Sequence, residues 1–187
     1  MTVENSTFVR DLGTGSGDIS EEYRSLNAPI LSLHRRWDLD VADFKKQLLV
    51  QNGWTPSWQV AKDEPNPSWL TYALKIGDWF PPEATTKFPR TMELLRHPAC
   101  YVAGFSLFRP LSVIGPHAHG ELDSEHLILH LGLDVEPGKS FLMVDGTFLE
   151  ERNGETFIFD GSHEHFAVNA STRDRAILYL EFDTTKL

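Results

Sequence analysis

From Tyr101 onward the chain breaks into short alternating or continuous apolar runs, at 101–108, 112–117, 126–133, 140–144, 155–159, 165–169 and 175–182. Glycine, proline and acidic residues close each run, which is the pattern of closely spaced strands joined by turns. Onto these strands fall six of the chain's eight histidines, all between residues 117 and 165, where an even spread would put about two. They make two knots, His117-Ala118-His119 and His163-Glu164-His165, with His126 and His130 between them. Residues two apart on a strand face the same side, so His117 and His119 are placed to converge on one ion, with His165 arriving from another strand. Imidazole suits iron, zinc, copper and nickel, and two or three histidines with open positions left for substrate belong to catalytic rather than structural metal sites. A single histidine is more often a surface or hydrogen-bonded core residue. Clustering on strands is what lifts this set above that reading.

Seven or eight short strands after a helical lead-in predict a mainly β chain: a double-stranded β-helix, the jelly-roll or cupin-like barrel, with N-terminal flanking helices. The mouth of such a barrel can hold a metal and small molecules. One helix is expected to start at a cap on Asp40 and run to about Gln51, burying Val41, Phe44 and Leu48. A second follows Pro89 over Arg90 to His97 and buries Met92 and Leu95. Residues 1–25 are polar and carry Gly13-Thr-Gly-Ser-Gly17, which reads as a flexible N-terminal arm ahead of a single domain over 26–187. Those glycines lack the preceding strand and the Lys-Ser or Lys-Thr of a phosphate-binding loop. The five tryptophans, Trp37, Trp54, Trp58, Trp69 and Trp79, are interleaved with prolines and read as wall residues, one of them a candidate for the substrate entrance.

Composition narrows the class. A length of 187 residues with 41% hydrophobic and 24% charged content suits one soluble globular domain. A formal net charge of −10 and the lack of a basic stripe argue against a nucleic-acid partner. No apolar run reaches the roughly 18 residues of a membrane span, and the opening residues lack the basic start and apolar stretch of a secretory signal, so a cytoplasmic location without membrane partners is expected. Cys100 is the lone cysteine, which excludes an intrachain disulfide and reads as a packed thiol.

The order of signals from Phe88 onward resembles the aspartyl/asparaginyl β-hydroxylase family. It begins with Phe88-Pro-Arg-Thr-Met-Glu-Leu-Leu95, similar to the family's P-x-T-x-x-L-L segment. It continues through Phe105-Ser106-Leu107 and Pro110-Leu-Ser-Val-Ile-Gly-Pro-His117, like a serine-bearing strand followed by P-G-x-x-x-x-P-H. Then come His130-Leu-Gly-Leu133, the stretch from Gly154 through Ile158-Phe159-Asp160-Gly-Ser162-His-Glu-His165, and Arg175 on the last strand. The resemblance covers roughly residues 80–183 and implies an iron(II)- and 2-oxoglutarate-dependent oxygenase. It implies His117 and His165 as iron ligands, Ser106 and Arg175 on the far carboxylate of 2-oxoglutarate, and His130 near its other end. A guanidinium opening a strand inside a barrel mouth can grip a carboxylate through two parallel hydrogen bonds, which supports Arg175 independently. The expected chemistry is hydroxylation, desaturation or ring closure, with molecular oxygen as co-reactant. The expected substrate is a small soluble molecule such as an amino acid or a natural-product intermediate.

Three departures from the family pattern bear on the site. Ile128 stands where family members usually carry arginine, two residues before H-L-G-L, and His126 on the same strand face is a candidate replacement donor. Leu111 replaces a usual glycine. Two extra residues precede His130, so that counting from Pro110 selects His117 as ligand and counting back from His130 selects His119. A site with three histidines therefore stays open, with Asp123 a more distant carboxylate candidate. The rival reading is a cupin with ligands His117, His119, Glu125 and His165, acting as an isomerase, a dioxygenase without 2-oxoglutarate, or a sensor. A third is a non-catalytic binding protein on the same barrel.

Overall fold

The computed structural model describes residues 2–31, 52–59, 64–120, 122 and 125–187. Strands β1 (Thr55–Gln59), β2 (Glu64–Ile76), β3 (Cys100–Phe108), β4 (Ser112–His117), β5 (His126–Asp134), β6 (Ser140–Val144), β7 (Thr147–Glu150), β8 (Thr156–Phe159), β9 (His165–Asn169) and β10 (Arg175–Asp183) form two antiparallel sheets. The six-stranded sheet has the order β1-β2-β3-β10-β5-β8, and the four-stranded sheet has the order β4-β9-β6-β7. The chain is thus mainly β, with sequential strands exchanged between sheets as in a jelly roll, and the strands from β3 on fall within a residue or two of the expected runs. β1, β2 and β7 are additions to that expectation. The helix expected from Asp40, Trp37 and the candidate Asp123 lie outside the described residues.

Alternation along the central strands separates two interiors. On β10, Ala176, Leu178, Leu180 and Phe182 pack into the larger core, whereas Arg175, Tyr179 and Glu181 face a cavity between the sheets. On β5, Leu129, Leu131 and Leu133 join the larger core and His130 faces the cavity. Both faces of these strands are therefore covered, which explains why the H-L-G-L segment reads as a continuous apolar run rather than an alternating one. Ile128 belongs to a smaller cluster between the sheets with Phe108, Leu142, Phe159 and Ala167.

The N-terminal residues correct the expected flexible arm. Over its described part they form α1 (Thr7–Thr14) and α2 (Ser16–Arg24), and Phe8, Val9, Leu12 and Ile19 are buried in the larger core. Ser6 caps α1 by accepting from the Val9 N–H at 3.3 Å. Glycine content misleads here because Phe8 and Leu12 stand one turn apart, and burying that stripe outweighs a cost of about 1 kcal/mol per helical glycine. Gly15, between the helices, has a second use, since a Cβ there would lie 3.0 Å from Leu94 Cδ1.

After the turn α3 (Ala84–Lys87) comes α4 (Pro89–Leu95), the helix expected after Pro89. Glu22 of α2 accepts from the backbone N–H groups of Arg90 and Thr91 at 2.8 and 2.9 Å and from the Thr91 hydroxyl at 2.6 Å. At the other end of α4, Lys75 donates to the Leu95 carbonyl at 2.8 Å. An anion at the first turn and a cation at the last both match the helix dipole. The first of these contacts pins the N-terminal helices to α4.

Leu111 has φ 52° and is 71% exposed. The left-handed region costs a side chain of this kind about 1–2 kcal/mol, and an exposed leucine recovers little of it by burial. Leu111→Gly should therefore stabilise the protein by about 1 kcal/mol, after allowance for the extra freedom glycine gives the unfolded chain. A urea midpoint that stays put or falls would contradict this account of the glycine expected there.

Candidate metal centre and its cavity

The cluster is built by one irregularity. β4 pairs with β9 as Ser112↔Asn169, Val113↔Val168 and Ile114↔Ala167, then shifts so that His117 faces His165. Three residues on β4 thus match two on β9, a bulge across Gly115-Pro116 that puts Ile114 and His117 on the same side despite their odd spacing. His119 lies just past the strand, held by its N–H donating to the Gly161 carbonyl at 2.8 Å. The rings of His117 and His165 are 4.3 Å apart between centroids, and His119 lies 5.4 and 5.2 Å from them. One ligating atom from each of the three lies within 4.8 Å of the others. The structure brings both His117 and His119 to His165.

Tautomers are fixed by the backbone. His117 Nδ1 lies 2.9 Å from the Gly115 carbonyl and His165 Nδ1 lies 2.8 Å from the His163 carbonyl. A carbonyl only accepts, so each Nδ1 carries the proton and each Nε2 keeps its lone pair for a metal. Burial, foremost, pushes the His165 pKa down to about 4, assisted by the adjacent histidines and opposed by the His163 carbonyl. His117 is also lowered, chiefly by burial. Both rings are neutral at neutral pH, the state a metal requires.

The sign of the linked pH effect follows. Folded His165 resists protonation down to about 4, whereas the ordinary value is 6.5. Between these values the unfolded chain binds more protons, so stability of the metal-free protein is complete above 6.5 and falls as pH drops toward 4. Urea midpoints measured without metal at pH 7.5 and 5 should show the loss, and His165→Gln should reduce it. An equal loss in that variant would assign the acid sensitivity elsewhere.

The three rings stand at one wall of a cavity of about 310 Å³. Ser106, Arg175 and His130 line the same cavity, as do Trp69 and Tyr179. Ser106, 5% exposed, accepts from the Trp69 indole N–H at 3.0 Å, which leaves its own hydroxyl hydrogen to donate. Arg175 is 1% exposed, with Phe108 stacked 4.8 Å from its guanidinium carbon. Its Nε donates to Glu151 Oε2 at 2.8 Å and its Nη2 to Glu151 Oε1. Burial would raise the Glu151 pKa, but Arg175 and His130 outweigh it and hold the carboxyl well below its ordinary range. His130 Nδ1 lies 3.0 Å from Glu151 Oε1, and burial keeps that ring's pKa low.

Other expected residues lie elsewhere. His126 packs against Tyr101, 6.3 Å between centroids, and is absent from the cavity wall, so the structure does not support it as a replacement donor. Its place at the first residue of β5 carries it past the cavity. Glu125 is exposed and outside the three-histidine group, which removes the fourth cupin ligand. His163 is exposed between Asp145 and Asp160, at 3.7 and 4.0 Å. Ile128 sits against Gly161, where an added Cβ would come 2.4 Å from Ile128 Cδ1, so the place of the family arginine is filled by packing. Cys100 is buried, and burial pushes its thiol up to about 12. Glu151 lies in the polar segment between two apolar runs, where no local pattern in the sequence singles it out.

Two antiparallel sheets with three imidazoles converging at one wall of the space between them define a double-stranded β-helix protein whose histidines could hold a metal ion. The family described as aspartyl/asparaginyl beta-hydroxylase matches the chain over residues 35–185. The chain belongs to that family. An ornithine lipid ester-linked acyl 2-hydroxylase from Rhizobium tropici is 37% identical over 89 residues, 46% of this chain and 30% of that protein. The chain thus matches under a third of that relative's length. Among solved structures, the Cupin_2 domain of an XRE-family transcriptional regulator from Enterobacter cloacae is 13% identical, with TM-score 0.43 over 62% of this chain and 96% of that one. KdgF from Halomonas sp. is 14% identical, with TM-score 0.42 over 68% and 93%. No helix among the described residues is long and apolar enough to cross a membrane.

Proposed function

We propose that this chain is an iron(II)- and 2-oxoglutarate-dependent oxygenase that hydroxylates, desaturates or cyclises a small soluble metabolite, such as an amino acid or a natural-product intermediate. The observation that carries the reading is that the three-histidine cluster and the Arg175–Ser106 pair line one cavity. His117, His119 and His165 would hold iron, and their donor set fits it, being three imidazoles of which His117 and His165 have their tautomer set by carbonyls. Arg175 and Ser106 fit a carboxylate: Nη1 of Arg175 makes no hydrogen bond with a described residue, and the Ser106 hydroxyl retains a proton to donate. Bound together, iron(II) and 2-oxoglutarate supply the oxidising chemistry, reducing molecular oxygen with formation of succinate and carbon dioxide. The chain's own part is to bind and orient. Arg175 and Ser106 fix the far carboxylate, Tyr179 and Trp69 shape the wall, and the apolar lining at Phe108, Ile114 and Leu142 limits water.

A second substrate reading, hydroxylation of an acyl chain, draws on the Rhizobium relative and on that apolar lining. Anaerobic titration of the iron(II)-loaded protein with 2-oxoglutarate tests the cofactor reading by the appearance of a visible charge-transfer band. Metal uptake with no response to 2-oxoglutarate would favour a cupin-type enzyme instead, and no metal uptake a binding protein. Incubating the loaded protein with metabolite pools and with ornithine lipids, and following oxygen-dependent mass gains, separates the substrate classes.

A further inference from the structure

We propose that Glu151 is a positioning residue for the co-substrate side of the cavity, a carboxylate set behind the wall that holds Arg175 and His130 in the orientation in which they meet a carboxylate ligand. This rests on the reading of Arg175 as the 2-oxoglutarate clamp. Arg175 and His130 line the cavity, whereas Glu151, 1% exposed, does not. Its two oxygens take four donors: Arg175 Nε at 2.8 Å and Ser140 Oγ at 2.6 Å on Oε2, His130 Nδ1 at 3.0 Å and Arg175 Nη2 on Oε1. An ionised carboxylate offers about four acceptor sites, so Glu151 is saturated by its neighbours and has nothing left for a ligand.

What it leaves on Arg175 is specific. The grip is on the Nε side of the guanidinium, and Phe108 covers one of its faces. The remaining donors are Nη1 and the second Nη2 hydrogen, and these two form the end-on fork that matches a carboxylate. Without Glu151 the guanidinium would keep its charge and lose its direction. On His130 the effect is a tautomer: an acceptor at Nδ1 requires the proton there, leaving Nε2 as the ring nitrogen that Glu151 does not engage.

The carboxylate is itself fixed from both sheets. Glu151 N–H donates to the Ser140 carbonyl of β6 at 3.0 Å, and Gly154 N–H donates to the Gly132 carbonyl of β5 at 2.9 Å. A Cβ on Gly132 would lie 2.1 Å from the Arg152 carbonyl oxygen, so the glycine of the H-L-G-L segment is what admits this loop against β5.

Glu151→Gln in the full chain tests the assignment, with iron(II) and 2-oxoglutarate affinities measured separately by anaerobic calorimetry. The expected result is 2-oxoglutarate binding weakened about tenfold or more, the usual scale for a hydrogen-bonded support, with iron(II) affinity unchanged. Because Glu151 acts chiefly through Arg175, Glu151→Gln should weaken 2-oxoglutarate binding by a smaller factor in an Arg175→Lys background than in the wild type. Ser140→Ala removes one donor to Glu151 without altering the lining, should give a smaller loss of the same kind, and decides the matter if Glu151→Gln does not fold. Folded variants that bind 2-oxoglutarate like the wild type, or that lose iron and 2-oxoglutarate alike, would overturn the positioning role. A wild-type protein that holds iron and ignores 2-oxoglutarate would overturn the cofactor reading and this inference with it.

Discussion

His165→Ala should all but abolish metal binding, while His163→Ala, two residues away in the same histidine knot, should leave it intact. His165 is 4% exposed and its ring meets those of His117 and His119, whereas His163 is exposed and faces Asp145 and Asp160. Removing one of three ligands should cost more than the 10–100-fold that loss of a ligand's hydrogen-bonded support costs. The readout is the metal-induced rise in unfolding temperature, since a metal at about a thousand times its dissociation constant stabilises the native state by about 4 kcal/mol. That increment should vanish in His165→Ala and persist in His163→Ala, whose backbone carbonyl still accepts from His165 Nδ1. Equal behaviour of the two variants would mean that the ion, if bound, sits elsewhere.

The contrast between these two histidines marks how far the sequence could be read. Spacing on a strand placed His165 on an inward face, with Ala167 and Asn169 two and four residues on, and put the strands of the second half where they form. Alternation also paired His117 with His119, but the route is different, because β4 ends at His117 and a bulge turns that ring inward. A bulge adds a residue without leaving a composition signal beyond the Gly115-Pro116 pair. At His126 the alternation of β5 holds, but the cavity does not extend to the strand's first residue. In the N-terminal segment the glycines and serines mask a short apolar stripe, since Phe8 and Leu12 one turn apart bury α1 in the larger core. Glu151 had no local signal at all. Its partners come from β5, β6 and β10, and only the rolling of two sheets brings them together.

Arg175→Met should have two separable consequences, loss of 2-oxoglutarate binding and a large loss of stability. The first follows from removal of the only guanidinium among the described cavity-lining residues, because Ile128 fills the place where the family usually has another. The second follows from Glu151, left buried with His130 and Ser140 as its remaining side-chain partners among the described residues. Breaking a buried ion pair by removing one partner costs about 3–5 kcal/mol. At about 2–4 °C per kcal/mol for a chain of this size, the unfolding temperature should fall by roughly 10 °C. Adding Glu151→Gln to Arg175→Met removes the stranded charge, so the double variant should regain part of that loss while its 2-oxoglutarate binding stays absent. Arg175→Lys should rescue neither property fully, since a lysine ammonium lacks the fork that spans Glu151 on one edge and a ligand on the other. If the double variant were less stable than Arg175→Met, the charge pair would not be what the single substitution exposed, and Arg175 would matter to the fold mainly through its packing on Phe108.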